Sequence, residues 1–271
     1  MKVAVTGARG FIGRHVLREL AQRDVEVIAT GRPGSGRARP AVANVRWISL
    51  DVASPPDDCF AILQRPDVLL HLAWDGLPNY RSPTHLQAEL PNQIGFLSNV
   101  ISHGLPALVA VGTCLEYGQQ SGALAADQET RPTTAYGSAK DSLRMKLQSL
   151  KSAHPYKLTW ARLFYMYGDD QPPTSLYPML KASVEAGQHQ FPMSGGDQLR
   201  DYLPVDEVAR RLVDLALNPG DAGPINLCSG QPVSVRQLVE SWIEQNGWKI
   251  EPVYGKLPYP DYEPMAFWGA R

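Results

Sequence analysis

The sequence has little of several features that mark specialised classes of protein. Its formal net charge is only −1 over 271 residues, so no excess of positive charge favours binding to nucleic acid. Three cysteines (Cys59, Cys114 and Cys228) are too few and too far apart for a disulfide framework or a zinc site, which indicates a reducing compartment. No apolar run reaches the ~18 residues that span a membrane. We therefore expect a soluble, cytoplasmic protein without a nucleic-acid or membrane partner.

Histidine pairs of the kind that bind metals are also missing. The six histidines show no H-x-x-x-H spacing, and we predict no metal site. The chain is long enough for a large core and one or two domains. The informative features are instead a glycine-rich turn near the start and a tyrosine–lysine pair in the middle.

A strand, a glycine-rich turn and a helix are predicted over residues 2–20, which begin KVAVTGARGFIG. The apolar residues that define one face of the helix are Ile12, Val16 and Leu20. Gly7 permits a tight exit from the strand, Gly10 a close approach to a diphosphate, and Gly13 close packing of the helix on the sheet. The unpaired N–H groups at the start of the helix would attract phosphates. For this motif alone, a glycine turn that serves only packing is the alternative.

Strands and helices alternate through the first half of the chain, which predicts an α/β fold with a doubly wound parallel sheet. Further strands are predicted at 25–29, 45–50, 67–72, 107–111 and 158–163, and helices at 86–101, 135–150, 205–217 and 235–246. Pro91 should kink the first of these helices or mark its true start, and Ser234 should cap the last. We predict a Rossmann-type dinucleotide-binding domain over 1–165, to which segments near 200–217 return, and a small C-terminal substrate-binding lobe over 166–271.

Tyr136 and Lys140 lie four residues apart on a predicted helix, so the phenol and the ammonium share one face. A tyrosine with its ordinary pKa of ~10 is a poor acid–base group at neutral pH, and a neighbouring ammonium should lower that pKa. Thr113 follows the strand 107–111, where its hydroxyl can donate to a substrate oxygen or to the tyrosine. In isolation these side chains could be solvated or could merely end a turn, but their place downstream of a dinucleotide turn favours a catalytic set.

Together these segments resemble the extended short-chain dehydrogenase/reductase family, in its branch of sugar-nucleotide epimerases, dehydratases and reductases. The matching segments, in family order, are TGARGFIG, Asp51-Val52, HLAW (71–74), Asn92 within PNQIGFLSNV, GTCLEYG, YGSAK, ARLFYMYG and RDYLPVDE (200–207). The resemblance implies a Rossmann fold, a nicotinamide dinucleotide coenzyme and an enzyme whose catalytic residues are Thr113, Tyr136 and Lys140.

The resemblance also assigns the binding residues. Asp51 would accept a hydrogen bond from the adenine amino group, Lys140 would bind the nicotinamide ribose, and Arg200 would bind the substrate diphosphate. The residues predicted to bind the coenzyme are Gly7, Arg9, Gly10, Phe11, Ile12, Gly13, Arg32, Asp51, Val52, Leu72, Ala73, Trp74, Val111, Tyr136, Lys140 and Leu163, with Arg9 and Arg32 included for their charge. Those predicted to bind substrate are Thr113, Asp75, Tyr165 and Arg200.

Alternatives remain for several of these residues. Arg200 could form a surface ion pair with Asp201 or Asp197. The family has a second alanine where this chain has Trp74, and asparagine where it has Tyr165. These two side chains and Asp75 could shape a sugar pocket or fill core space.

The end of the second strand bears on the form of the coenzyme. An acidic residue there would bond the ribose 2′-hydroxyl and select NAD, but the strand ends in Thr30-Gly31-Arg32, with Arg37 and Arg39 nearby and Arg9 in the glycine turn. Because arginine forms bidentate, charge-assisted bonds to phosphate, we predict NADP(H). Solvent-facing loop charges are the alternative.

The residues after Thr113 narrow the reaction that the resemblance implies. Dehydratases of the family carry Asp-Glu directly after the threonine, and bifunctional epimerase-reductases carry a cysteine two positions after it, whereas this chain has Cys114 and Leu115. Cys114 is expected to be a packed side chain rather than a catalytic acid. A reductase consumes NADPH, whereas an epimerase gains nothing from selecting it. We predict NADPH-dependent reduction of the 4-keto group of a nucleotide-diphospho-4-keto-6-deoxyhexose, as in deoxysugar biosynthesis, with Tyr136 as the proton donor.

Three other functions stay open. A nucleotide-sugar 4-epimerase would share the fold, a reductase of a non-nucleotide ketone would leave Arg200 without a diphosphate, and a non-catalytic NADP sensor would be expected to lack Tyr136 or Lys140. The resemblance also implies a homodimer through the helices at 86–101 and 135–150, unless the sheet covers their apolar faces completely.

Overall fold

Strands and helices alternate through most of the protein in a computed structural model that describes residues 1–34, 36 and 38–271. The strands are β1 (Lys2–Thr6), β2 (Glu26–Gly31), β3 (Val45–Ser49), β4 (Val68–His71), β5 (Ala107–Thr113), β6 (Gly122–Leu124), β7 (Lys157–Leu163), β8 (Tyr165–Tyr167), β9 (Gln190–Pro192), β10 (Leu199–Pro204), β11 (Gly223–Leu227), β12 (Pro232–Ser234), β13 (Glu251–Val253) and β14 (Phe267–Gly269). The α-helices are α1 (Phe11–Leu20), α2 (Cys59–Ile62), α3 (Leu90–Ser102), α4 (Ala135–Leu150), α5 (Leu176–Glu185), α6 (Val205–Leu217) and α7 (Val235–Asn246). A π-helical turn (His85–Glu89) and a 3-10 turn (Cys114–Tyr117) complete the set.

Seven parallel strands form the central sheet, in the order β11-β7-β5-β4-β1-β2-β3. From β1 the chain builds outward to β2 and β3, and then returns to place β4 on the other side of β1. The strand order therefore reverses between β1 and β4. Such a reversal leaves a crevice beyond the carboxyl ends of the strands, where ligands bind in open α/β sheets. The predicted Rossmann-type fold is confirmed.

Helices cover both faces of the sheet. On one face α1 and α6 pack together, burying Leu17, Leu20 and Leu212 against the sheet. On the other face α3 and α4 bury Phe96 and Leu143. No helix in the described part of the chain has both the length and the apolar character that a membrane span requires.

The α-helix predicted over 86–101 begins later than its apolar pattern, at Leu90. Pro91 occupies the first turn of α3, where its missing N–H does no harm. The residues before it, His85–Glu89, form a π-helical turn. The proline thus marks the true start of the α-helix, as expected, and the π turn brings His85 inward to complete burial.

A second group of elements follows β7. It contains a mixed sheet of β8, β10 and β12, a pair of β9 with β13, and helices α5 and α7. These elements enclose an apolar cluster around Trp242. Ser234 and Gln237 form a capping box at the start of α7, which confirms the expected cap. β14, near the end of the sequence, pairs with β6 and buries Phe267.

Close backbone packing at the first turn gives a test of the fold. A Cβ atom on Gly13 would lie 2.7 Å from the Ala8 Cα atom and closer still to the Gly7 carbonyl oxygen. We expect Gly13→Ala to lower the free energy of unfolding by about 1–3 kcal/mol through overpacking. The melting temperature should fall by about 2–4 °C for each kcal/mol.

Gly95→Ala is the matched control. A Cβ on Gly95 in α3 meets nothing within 4 Å, and alanine is the better helix former by about 1 kcal/mol. This variant should be neutral or stabilised. Equal losses in the two variants would contradict the role of close packing at Gly13.

Candidate active site

A pocket of about 450 Å³ opens where the strand order reverses, beyond the carboxyl ends of β1, β2 and β4. It brings together these predicted residues: Gly7, Arg9, Gly10, Phe11, Ile12, Gly13, Arg32, Asp51, Val52, Leu72, Ala73, Trp74 and Asp75. Asn92, from the resembling segment, also lines it. Sequence reasoning did not assign Thr30, Gly31, Leu50, Ala53, Gly76, Leu77, Glu89, Gln93 and Pro172, which complete its wall.

The glycine turn forms the floor of this pocket. Gly7 has φ +67°, and a Cβ there would lie 2.8 Å from the Ala73 nitrogen, so no other residue lets β1 and β4 approach this closely. Gly10 begins α1 without a side-chain cap, and the first turn of α1 holds no acidic residue. The uncapped N–H groups and bare backbone fit the diphosphate of a dinucleotide.

Arginines gather at the ends of β2 and β3. The Arg9 guanidinium lies 5.6 Å from the centroid of the Trp47 ring, and Arg39 lies 5.4 Å from the same ring. A Cβ on Gly31 would meet the Arg9 side chain at 2.5 Å, so Arg9 covers the end of β2. Arg37 is outside the described residues.

Arg32 and Asp75 form an ion pair between the loops after β2 and β4. Both side chains are about half exposed, so the pair can open at little cost. Asp51 follows β3, and one of its oxygens accepts a hydrogen bond from the Ala53 N–H, 3.0 Å away. The predicted contact of Asp51 with adenine stays a prediction.

A chain of hydrogen bonds, buried around His71 and exposed at Asp75, supports the pocket from behind. His71 Nδ1 lies 2.9 Å from the Thr6 hydroxyl, and His71 Nε2 lies 2.7 Å from the Gln93 amide oxygen. Gln93 donates to the Ala73 carbonyl at 3.1 Å, and the Asp75 N–H donates to Glu89 at 3.1 Å. Burial lowers the pKa of His71 to about 3, so the ring stays neutral and holds β1, β4 and α3 in register.

Tyr136 lies behind Trp74, in the first turn of α4. Thr134 caps this helix by accepting the Gly137 N–H at 3.1 Å. The Tyr136 ring is 7% exposed and is surrounded by the rings of Trp74, Tyr80 and His85, with centroids 5.3–5.7 Å away. Burial raises the pKa of Tyr136. The expected lowering of this pKa by Lys140 is therefore wrong for this structure, because desolvation of the phenolate, with smaller effects of Tyr80, Glu116 and Cys114, raises it.

Lys140 lies one turn further along α4 and is also buried. Burial lowers the pKa of Lys140 to about 8, against the smaller, opposing effects of Glu116 and Glu89. A Cβ on Gly137 would lie 2.5 Å from the Leu115 carbonyl oxygen, so this helix start packs directly on the turn that follows Thr113. The structure thus brings the three predicted catalytic residues to one place.

Thr113 is the last residue of β5 rather than a residue beyond it. Its hydroxyl oxygen accepts the Leu115 N–H at 3.3 Å. Its own N–H donates to Glu116 at 2.9 Å. The threonine therefore stands in a fixed rotamer at the carboxyl edge of the sheet.

Glu116 was not assigned from the sequence. Its carboxylate accepts hydrogen bonds from Trp160 Nε1 at 3.0 Å and from Arg162 Nε at 2.6 Å, in addition to Thr113. Glu116 and Arg162 are both fully buried. Burial raises the pKa of Glu116, and the Arg162 guanidinium opposes this. One signal was present in the sequence: each of two apolar segments, GTCLEYG and LTWARL, carries a single charge of opposite sign.

Arg200 pairs with Glu263, at 3.0 Å, and is 2% exposed. The alternative of a surface pair with Asp201 or Asp197 is therefore wrong. Tyr165 donates its hydroxyl proton to the same carboxylate. The roles of Arg200 and Tyr165 toward a substrate stay predictions.

Three more predicted side chains are buried at the ends of β5 and β7. Val111 and Leu163 belong to the core beneath the sheet edge. Cys114 is packed among aromatic side chains, and burial raises its pKa, as expected for a thiol that is not a catalytic acid.

The chain is similar to proteins of known function along nearly its whole length. The model of the NAD dependent epimerase/dehydratase family matches residues 3–228. A dTDP-6-deoxy-L-talose 4-dehydrogenase (NAD(+)) of Aggregatibacter actinomycetemcomitans is 30% identical over 273 residues, covering 100% of both chains. A dTDP-6-deoxy-L-talose 4-dehydrogenase (NAD(P)(+)) of Kitasatospora kifunensis is 25% identical, over 96% of this chain and 83% of the other. The structure of a UDP-glucose 4-epimerase of Thermotoga maritima with UDP-glucose superimposes with a TM-score of 0.83 and 26% identity, over 99% of this chain and 90% of that one.

The buried pair beneath Thr113 should stabilise the protein strongly. We expect Glu116→Gln to lower the free energy of unfolding by about 3–5 kcal/mol, because Arg162 would keep a buried charge without its partner. Glu129→Gln is the control, since Glu129 pairs with Arg131 at the exposed surface and its loss should change stability by less than about 0.5 kcal/mol. Urea denaturation measures the free energy of unfolding of both variants. A loss for Glu116→Gln no larger than that of the control would show that this ion pair contributes little.

Proposed function

The chain belongs to the NAD dependent epimerase/dehydratase family, and we propose that it is an NADPH-dependent reductase of the 4-keto group of a nucleotide-diphospho-4-keto-6-deoxyhexose. The observation that carries this proposal is the gathering of arginines at the end of β2, where the ribose of a dinucleotide would lie. A 4-dehydrogenase that matches the full length of the chain supports the choice of position C4.

The buried tyrosine and threonine suit the reductive direction. NADPH, when bound, would supply a hydride to the carbonyl carbon. The phenol of Tyr136, kept protonated because burial raises its pKa, donates its proton to the oxygen on which negative charge develops. The hydroxyl of Thr113 donates a hydrogen bond to the same oxygen. Lys140 binds the coenzyme ribose and orients Tyr136.

The proposed preference for NADPH is based on the positive charge around the end of β2. The loop after β2 carries Arg32 and Arg39 and no carboxylate, and Arg9 reaches it from the glycine turn. A 2′-phosphate gains charge-assisted hydrogen bonds from such a cluster. Since the pair of Arg32 with Asp75 is exposed, Arg32 can turn to the phosphate.

The proposed class of substrate is inferred from the substrates named for similar proteins. The two 4-dehydrogenases are named for a dTDP-deoxysugar, and the solved epimerase holds UDP-glucose. We propose a nucleotide sugar for this chain, with Arg200 released from Glu263 to bind its diphosphate. A 4-epimerase is the second candidate, because the epimerase structure shares the fold along nearly the whole chain.

The homodimer stays a prediction. Most of the apolar face of α3 is buried within this chain, including Phe96, Leu97 and Val100. Leu86 and Met145 remain exposed, on the turn before α3 and on α4.

The reaction can be followed through the absorbance of NADPH. With a 4-keto-6-deoxy sugar nucleotide, generated in place by a 4,6-dehydratase, the protein should oxidise NADPH. Tyr136→Phe should lower kcat by about 10²–10⁴-fold through loss of the proton donor, with NADPH binding retained. Interconversion of nucleotide sugars without loss of NADPH would establish the epimerase instead. Turnover of a simple ketone, but of no nucleotide sugar, would overturn the substrate class.

The coenzyme preference can be read as a ratio. We expect Arg32→Ala to lower kcat/KM with NADPH relative to NADH by about 10–100-fold, as the loss of hydrogen bonds to a charged group predicts. Arg46→Ala, which removes an exposed arginine of β3 outside the pocket, should leave the ratio unchanged. A wild-type protein that prefers NADH would refute the proposed role of the arginines.

A further inference from the structure

Lys140 lies between the faces of two indole rings. Its ammonium nitrogen is 4.3 Å from the centroid of the Trp74 ring and 5.6 Å from that of Trp160. The residue is 3% exposed, and it takes part in none of the ion pairs formed by the described residues. A buried ammonium without a carboxylate partner depends on other sources of negative potential, and among aromatic side chains the face of an indole ring attracts a cation most strongly.

Trp74 is held in a defined orientation. Its indole N–H donates to His85 Nδ1 at 3.1 Å, and His85 Nε2 donates to the Asn79 carbonyl oxygen at 2.8 Å. Because an indole can only donate, His85 must carry its proton on Nε2. The same indole ring meets Tyr136 edge to face, with centroids 5.7 Å apart. One ring thus contacts both Tyr136 and Lys140.

The two rings differ in what else they meet. Trp160 is fully buried in β7 and bonded to Glu116. Trp74 is partly exposed and lines the pocket, so of the two rings it is the one that an occupant of the pocket can contact.

We propose that Trp74 is a positioning residue that holds the ammonium of Lys140 beside Tyr136 through the face of its indole ring. The proposal rests on the proposed function only in that Tyr136 and Lys140 act in catalysis. It accounts for a bulky tryptophan at a position where the resembling family carries alanine.

The pKa of Lys140 should change when the ring of Trp74 is replaced. Glu116 and Glu89 attract the ammonium from the 3-10 turn and the π turn, and the neutral His71 of β4 is a further titratable neighbour. Burial already lowers the pKa of Lys140 to about 8. Leucine and phenylalanine both leave more room beside the ammonium than tryptophan does, but only phenylalanine keeps an aromatic face against it. The charged form is therefore less favourable with leucine than with phenylalanine, and the pKa of Lys140 should be lower in the leucine variant.

The test is a titration of Lys140 in the protein without coenzyme. NMR of protein labelled with ¹³C at the lysine ε-carbon gives the signal, which Lys140→Met assigns by its disappearance. We expect the midpoint in Trp74→Leu to lie about 0.4–1.5 pH units below that in Trp74→Phe, the equivalent of one cation–π contact. If the leucine variant fails to fold, Trp74→Met makes the same test.

Trp248→Phe is the control, because Trp248 packs in the cluster around Trp242 and should leave the Lys140 titration unchanged. In turnover assays the alkaline limb of kcat should lie at lower pH in Trp74→Leu than in Trp74→Phe by the same amount. Equal Lys140 midpoints in these two variants would overturn the proposal. Since the titration needs no substrate, it decides about Trp74 even if no nucleotide sugar is reduced.

Discussion

The carboxylate of Glu116 is the constraint on which the catalytic half of the molecule depends. It accepts bonds from the backbone of Thr113, the indole of Trp160 and the guanidinium of Arg162, and so joins the end of β5 to β7. The turn that carries it also packs against the start of α4. A carboxylate buried this deeply is stable only with its donors in place, and the relative position of threonine, tyrosine and lysine is therefore fixed by the fold.

The pocket around the glycine turn and the region around Arg200 differ in the residues that form them. Around the glycine turn, bare backbone and an uncapped helix start form the surface, and small residues are required because β1, β4 and α1 approach so closely. Beyond Trp74 the surface consists of rings and ion pairs drawn from several distant segments, including Tyr80, Tyr165, Arg200 and Glu263. Side chains of this kind can be exchanged without moving the sheet.

Periodic patterns and caps made much of the fold predictable. Helices α4, α6 and α7 begin and end where the sequence predicts, because each combines an apolar face with a clear start or stop. The strand β11 was missed, since GPINL is short and begins with two residues that are rare in strands. β14 was missed for a related reason: its few residues follow a proline-rich segment without alternation. Within the site, motif spacing located Tyr136 and Lys140. The partners Glu116 and Glu263 depend on which charges become buried together, and that is decided by tertiary packing.

The late position of Glu263 and Phe267 in the sequence has a consequence for assembly on the ribosome. Strands β1 to β5 and β7, with helices α1 to α4, are all synthesised by residue 163, and N-terminal units generally fold first during translation. Two later residues emerge about a hundred residues after that point. Glu263 contacts Arg200 and Tyr165, and Phe267 belongs to β14, which pairs with β6. A nascent chain can therefore form the glycine-lined pocket well before the region around Arg200 is closed, and the two halves of the site mature in sequence rather than together.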